Sequence, residues 1–161
     1  MPLITCNRCS HQSRISDILR SYGISDQVKV TIEQQYAFCK HCSGAVNAEY
    51  VPTLAELNAV LAEFIEANET EWIKGLEERI AWRQTRQSPA RCLECGSTDI
   101  ICAVVDEETN IATLEHPGCG GTLLIRTRGF ELNRLWILYT SEGEKTGTYE
   151  VFASRGLVKR E

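Results

Sequence analysis

No apolar stretch in this 161-residue chain approaches the ~18 to 20 residues that a membrane-spanning helix needs, so no such helix is expected. The first residues, Met1-Pro2-Leu3-Ile4-Thr5-Cys6, carry neither a basic n-region nor an apolar h-region, and no export signal is read there. There is no Ser-His-Asp arrangement, no phosphate-binding glycine loop, no low-complexity segment and no short internal repeat. A His-x-Glu placed before a Cys-x-x-Cys, as deaminase chemistry requires, is also missing: Glu115 precedes His116 instead of following it by two. These absences leave a cytoplasmic, non-enzymatic protein as the expectation. They also point to cysteine chemistry under reducing conditions, where thiolates hold metal rather than pair as cystines.

Cysteine is what the chain does have, with eight in all. Cys6-Asn-Arg-Cys9, Cys39-Lys-His-Cys42, Cys92-Leu-Glu-Cys95 and His116-Pro-Gly-Cys119 are four two-ligand turns. Two ligands with two residues between them cover one side of a tetrahedral ion, and a second such turn completes it. Taking neighbours along the chain, the expected sites are Cys6, Cys9, Cys39 and Cys42, then Cys92, Cys95, His116 and Cys119, with two Zn2+ per chain. Iron is the competing metal for the first, all-cysteine set. Cys102, within Ile100–Val105, reads as an inert buried thiol. His11 and His41 lie near a set already filled by cysteines, and His41 is expected to face solvent. Neither half of the chain is large enough for a self-sufficient core, so metal binding should contribute on the order of 10 kcal/mol per site to folding.

Between the ligand turns, hydrophobic spacing suggests the elements. Ser13–Tyr22 reads as a short helix stopped by Gly23, and Val28–Glu33 as a half-buried strand. Thr53 and Glu56 form a capping box opening a helix that runs towards Ser88-Pro89, either continuous over roughly 34 residues and ~50 Å long or divided near Asn68. Ile100–Val105, Ile111–Leu114 and Thr122–Arg126 read as strands, and Arg134–Tyr139 with Thr148–Ala153 as a hairpin.

The run Cys92-Leu-Glu-Cys95-Gly96-Ser97-Thr98-Asp99-Ile100, with Asp106 and His116-Pro-Gly-Cys119-Gly120-Gly121, resembles the zinc ribbon superfamily, in particular the ribbons of general transcription factors. Residues 4–45 resemble it more loosely through Cys6, Cys9, Cys39 and Cys42. The resemblance implies a three-stranded antiparallel sheet pinned by two metal knuckles; histidine at the third ligand position departs from the commoner all-cysteine pattern. The expected fold class is α+β: an N-terminal zinc-ribbon-like module over 1–52, a helical linker over 53–88, and a C-terminal ribbon with a β-hairpin extension over 89–161.

Such a fold suits presentation of a surface rather than catalysis. The helical stripe of Leu57, Leu61, Phe64, Trp72 and Leu76 is the candidate for binding another protein or a second copy, with Trp72, Trp82 and Trp136 as anchors wherever they are exposed. The alternative is nucleic acid, through Arg79, Trp82, Arg83, Arg86 and Arg91, and through Arg126, Arg128 and Arg134. Against it stands a net charge of −5, concentrated in 89–121, where one arginine meets six acidic residues. Native mass spectrometry of protein purified from cytosol without added metal should find two zinc ions per chain and no copurifying nucleic acid. Iron in the first site would redirect the reading towards electron transfer.

Overall fold

The computed structural model describes all residues except 1, 2, 17, 26, 107, 110, 127–134, 153–155 and 161. The chain forms a mixed α+β fold of mostly antiparallel sheets and two helices. Its strands are β1 (Leu3–Cys6), β2 (Gln12–Arg14), β3 (Leu19–Gly23), β4 (Lys29–Thr31), β5 (Gln34–Cys39) and β6 (Gly44–Glu49). Helices α1 (Leu54–Glu66) and α2 (Thr70–Thr85) follow. Then come β7 (Ile100–Cys102), β8 (Val104–Asp106), β9 (Ile111–His116), β10 (Gly121–Arg126), β11 (Leu135–Thr140), β12 (Lys145–Phe152) and β13 (Gly156–Lys159). No helix among the described residues is long and apolar enough to cross a membrane.

Each of the three sheets joins strands from before and after the helices. The first runs β2-β1-β10-β9-β8, the second β13-β12-β11-β3-β4 and the third β6-β5-β7. The first is closed by β1 on β10, with Leu3 opposite Arg126 and Cys6 opposite Leu123. Ile4, Leu114, Leu123 and Ile125, all buried, fill its inner face with Ile15 and Phe38. In the second sheet β3 lies parallel to β11, the kind of pairing that needs a long crossover.

The helix expected over Ser13–Tyr22 is not formed. Its residues supply β2 and β3, and Arg20, Ser21 and Tyr22 are all buried in consecutive positions. A helix would turn Arg20 away from its partners. In the strand its guanidinium, wholly buried, meets Gln34 at 2.6 Å and Glu94 at 2.8 Å. The run Ile100–Val105 is likewise two strands in two sheets, and Cys102 is exposed rather than buried. The hairpin expected near the C-terminus is present as β11 and β12; Ala153 and Arg134 lie outside the described residues.

The helical segment is divided. The capping box is complete, with the Thr53 side chain accepting from the Glu56 N–H and Glu56 accepting from the Thr53 N–H. Bonds from the Thr53 hydroxyl, from Tyr50 and from that N–H hold the Glu56 carboxyl down at about 2. At the other end Asn68 takes φ 56°, and the N–H groups of Asn68 and Glu69 return to the carbonyls of Ile65 and Phe64. This is a Schellman stop with asparagine in the left-handed position. α1 packs against α2, and α2 packs against β4.

One ion pair ties these pieces together. Glu49, at the end of β6, accepts from Arg86 Nη1 at 3.1 Å and Nη2 at 2.6 Å, and both side chains are wholly buried. The remaining capacity of the carboxylate is taken by the Tyr22 hydroxyl at 2.8 Å and the Arg91 N–H at 2.9 Å. Trp82 stacks on Tyr22 with centroids 4.5 Å apart, and the Arg86 guanidinium lies 5.2 Å from the Tyr22 ring. Gly143, at φ 82°, closes the site: a Cβ there would stand 2.5 Å from Glu49 Oε1. Arg86→Met should therefore strand a buried carboxylate and cost about 3 to 5 kcal/mol. Urea denaturation at fixed metal content measures this; a loss below about 1 kcal/mol, as for an exposed pair, would disprove it.

Candidate metal centres

The four ligand turns assemble into two clusters, but not in the order of the chain. Cys6, Cys9, His116 and Cys119 form one, and Cys39, Cys42, Cys92 and Cys95 form the other, with the ligand atoms of each set within 4.8 Å of one another. All eight expected ligands are used, and the expected pairing of neighbouring turns is corrected. The pairs are nested, the inner set lying wholly within the stretch closed by the outer.

Strand pairing dictates the outer cluster. β1 ends at Cys6 and runs antiparallel to β10, which begins just after Cys119, while β9 ends at His116. The two turns therefore leave the same end of the same sheet. Asn7 fixes their approach: its N–H donates to the Thr122 carbonyl at 3.0 Å, and its Oδ1 accepts from the Thr122 N–H at 2.8 Å. Gly121 permits it, because a Cβ would stand 2.7 Å from Arg8 Cβ and 2.9 Å from Cys6 Sγ. A chain-order pairing would require Cys6 to leave this sheet.

The inner cluster has its own frame. The Cys39–Cys42 turn joins β5 to β6, and β7 lies along β5 with Ile100 opposite Cys39. A bridge between Ala48 and Cys92 brings in the other turn, and the Leu93 N–H donates to the Asn47 carbonyl at 3.0 Å. Tyr139 Oη donates to the Leu93 carbonyl at 2.9 Å, and Arg20 holds Glu94. The inner turn is thus clamped by the second sheet as well as the third.

The distances fit a tetrahedral ion. Sulfur ligands at roughly 2.3 Å place two sulfurs roughly 3.8 Å apart, and sulfur roughly 3.6 Å from a histidine nitrogen. The Sγ atoms of Cys39 and Cys95 are 3.6 Å apart, and those of Cys42 and Cys92 are 3.8 Å apart. His116 Nδ1 lies 3.6 Å from Cys9 Sγ, 3.4 Å from Cys6 Sγ and 3.2 Å from Cys119 Sγ. None of these is near the ~2.05 Å of a disulfide. Both clusters can hold a metal ion, and four protein ligands complete each.

Charge favours the same conclusion. The Arg8 N–H, 3.4 Å from Cys6 Sγ, is the main force lowering that thiol to about 6. Burial pushes Cys92 up to about 11 and also raises Cys42 and Cys119. Cys39 and Cys92 are the buried ligand cysteines, and a thiolate there without a cation is unfavourable; a divalent ion would supply the missing charge.

The other candidate residues separate into core and surface. Trp82 is 1% exposed and Arg86 3%, so neither is at a surface, and the expected nucleic-acid cluster lacks both. Arg79 pairs with Glu33, and Arg83 Nε donates to the Pro52 carbonyl at 2.8 Å. Arg91 is half-buried and Arg126 exposed, while Arg128 and Arg134 lie outside the described residues. On the helical stripe Leu57 is buried, Leu61, Phe64 and Leu76 are half-buried, and Trp72 is 62% exposed. Trp136 is half-buried beneath Lys29. His41 faces solvent as expected, whereas the His11 ring sits 5.1 Å from that of His116. Glu49, Tyr22 and Gly143 could not be singled out from sequence; a lone glutamate ending the largely apolar strand Gly44–Glu49 is the one signal they offered.

No protein-family model, curated protein or solved structure matches this chain. The chain is described by its own geometry: an α+β protein with two nested four-ligand clusters that could hold metal ions.

Double substitutions discriminate the nested pairing from the chain-order pairing. Cys6→Ala with Cys119→Ala should leave one metal per chain, because both residues belong to one cluster. Cys6→Ala with Cys39→Ala should leave none. Metal analysis giving the reverse pattern would refute the nesting.

Proposed function

We propose that this chain is a non-enzymatic structural-zinc protein whose helical hairpin binds another protein, in the role of an adaptor, regulator or inhibitor. The observation that carries the reading is the exposure of Trp72 at 62% and Ile65 at 58%, with Leu54 and Val60 of α1 also exposed, at 36% and 38%. Within α1 only Leu57 is buried. A hairpin that covers so little of its own apolar surface is suited to a partner, and a tryptophan is a favoured anchor.

The clusters support a structural role for the metal. Three thiolates with one imidazole, and four thiolates, are donor sets typical of zinc. A hydrolytic ion needs an open position for water, and neither ligand set leaves one. The binding of nucleic acid is less well supported, because its central Trp82 and Arg86 are packed in the protein interior. Removing the exposed anchor should separate binding from folding: Trp72→Asp should lose cross-linked protein partners while retaining two metal ions per chain. Loss of metal would place Trp72 in the fold, and partners retained at wild-type yield would sink the reading.

A further inference from the structure

We propose that the outer edge of β8 is a second protein-binding surface, separate from the helical hairpin. Its occupant is an extended segment of another protein, in which a pair of apolar residues adjoins lysine or arginine. Added as a strand, that segment extends the first sheet beyond Val105.

The core of the first sheet supplies the first reason. Residues directly opposite one another on neighbouring strands share a face. Ile4, Ile125, Ala112 and Val105 stand opposite one another in turn across β1, β10, β9 and β8. The first three are exposed by 0%, 0% and 2%, whereas Val105 is exposed by 56%. The apolar row that builds the core therefore reaches its last strand uncovered. Val104, on the opposite face, is 72% exposed, and Ile101 on the preceding β7 is exposed as well.

The edge itself supplies the second. β8 is the last strand of its sheet and pairs with β9 alone among the described residues. Alternate residues of such a strand turn their N–H and C=O groups outward, ready for a further strand. Proteins commonly blunt their sheet edges with basic side chains or cover them. Other edges of this molecule follow that rule. β2 carries Arg14, β4 carries Lys29 and packs against α2, and β6 is largely buried with Ala48 bridged to Cys92. β8 presents Val104 and Val105 with neither protection, and an incoming strand would cover both.

Charge selects the occupant. Residues 92–125 contain six acidic side chains and no lysine or arginine. Asp106 ends β8, Glu108 follows it, and both are exposed, as is Glu115 on β9. Of the cations on adjoining elements, Arg126 lies two strands in from Asp106, opposite Ile111, and Lys40 is paired with Asp99. A segment with apolar residues opposite Val104 and Val105 and a basic one opposite Asp106 matches the edge position by position. A second copy docking here through the same edge would set two acidic strands side by side and be repelled.

The test uses the full metal-loaded protein and three fluorescein-labelled peptides: Lys-Arg-Val-Val-Thr, Glu-Glu-Val-Val-Thr, and Lys-Arg-Val-Pro-Thr, which keeps the charge but lacks one N–H. By fluorescence anisotropy the first should bind roughly tenfold more tightly than either of the others. Val105→Lys should weaken it roughly tenfold while two metal ions per chain are retained. Val104→Lys, on the face away from the core, should do the same, which separates lost docking from lost packing. Trp72→Asp should leave the affinity unchanged. Equal binding of the basic and acidic peptides, no binding at millimolar concentration, or binding unaltered by Val104→Lys would overturn the proposal. Equal binding of the proline peptide would overturn strand addition, and self-association that Val104→Lys abolishes in sedimentation would overturn the occupant.

Discussion

The buried pair of Glu49 and Arg86 is the interaction on which the arrangement of the rest depends. Glu49 closes the third sheet, Arg86 ends α2, Tyr22 belongs to the second sheet and Gly143 to the turn between β11 and β12. A carboxylate in the interior is tolerable only when its lone pairs are filled, and here four donors from three parts of the chain fill them. The demand is geometric as well as electrostatic. Meeting it seats the helical segment, because the residue that answers Glu49 stands where α2 must stop.

The ligand clusters join other strands and meet the ion pair at Arg91, whose N–H donates to Glu49 beside Cys92. The outer cluster joins β1 to the hairpin of β9 and β10, and the inner one joins the turn of the β5–β6 hairpin to the Cys92–Cys95 turn that precedes β7. Phe38 joins the apolar core of the first sheet while its neighbours Ala37 and Cys39 pack around the inner cluster. The two centres meet along β5, and α2 reaches the inner one through Trp82, which shares a buried core with Leu93 of the Cys92–Cys95 turn.

The ligands themselves were legible in sequence because a pair of donors two residues apart, occurring four times over, suits a tetrahedral ion and little else. Their partnership was not. Spacing describes the turn, whereas partnership depends on which strands lie side by side, and the pairing of β1 with β10 spans more than a hundred residues. The capping box and the break at Asn68 could be read because both are local. Ser13–Tyr22 misled because Ile15, Ile18 and Leu19 have helical spacing, while the decisive partners of Arg20 are Gln34 and the distant Glu94. Arginine and tryptophan near a helix end likewise suggest a basic surface until the buried carboxylate that recruits them is known.

Nesting also has a consequence for a chain made from one end. The turn of Cys6 and Cys9 emerges first, yet its partners are among the last ligands to appear. At the usual ~5 to 20 residues per second, those two thiols wait on the order of ten seconds for Cys119. During that interval the inner four can already be complete. A nascent chain of this design thus carries a vacant half-site, open to foreign metal or to oxidation, until the strand that begins at Gly121 arrives beside it.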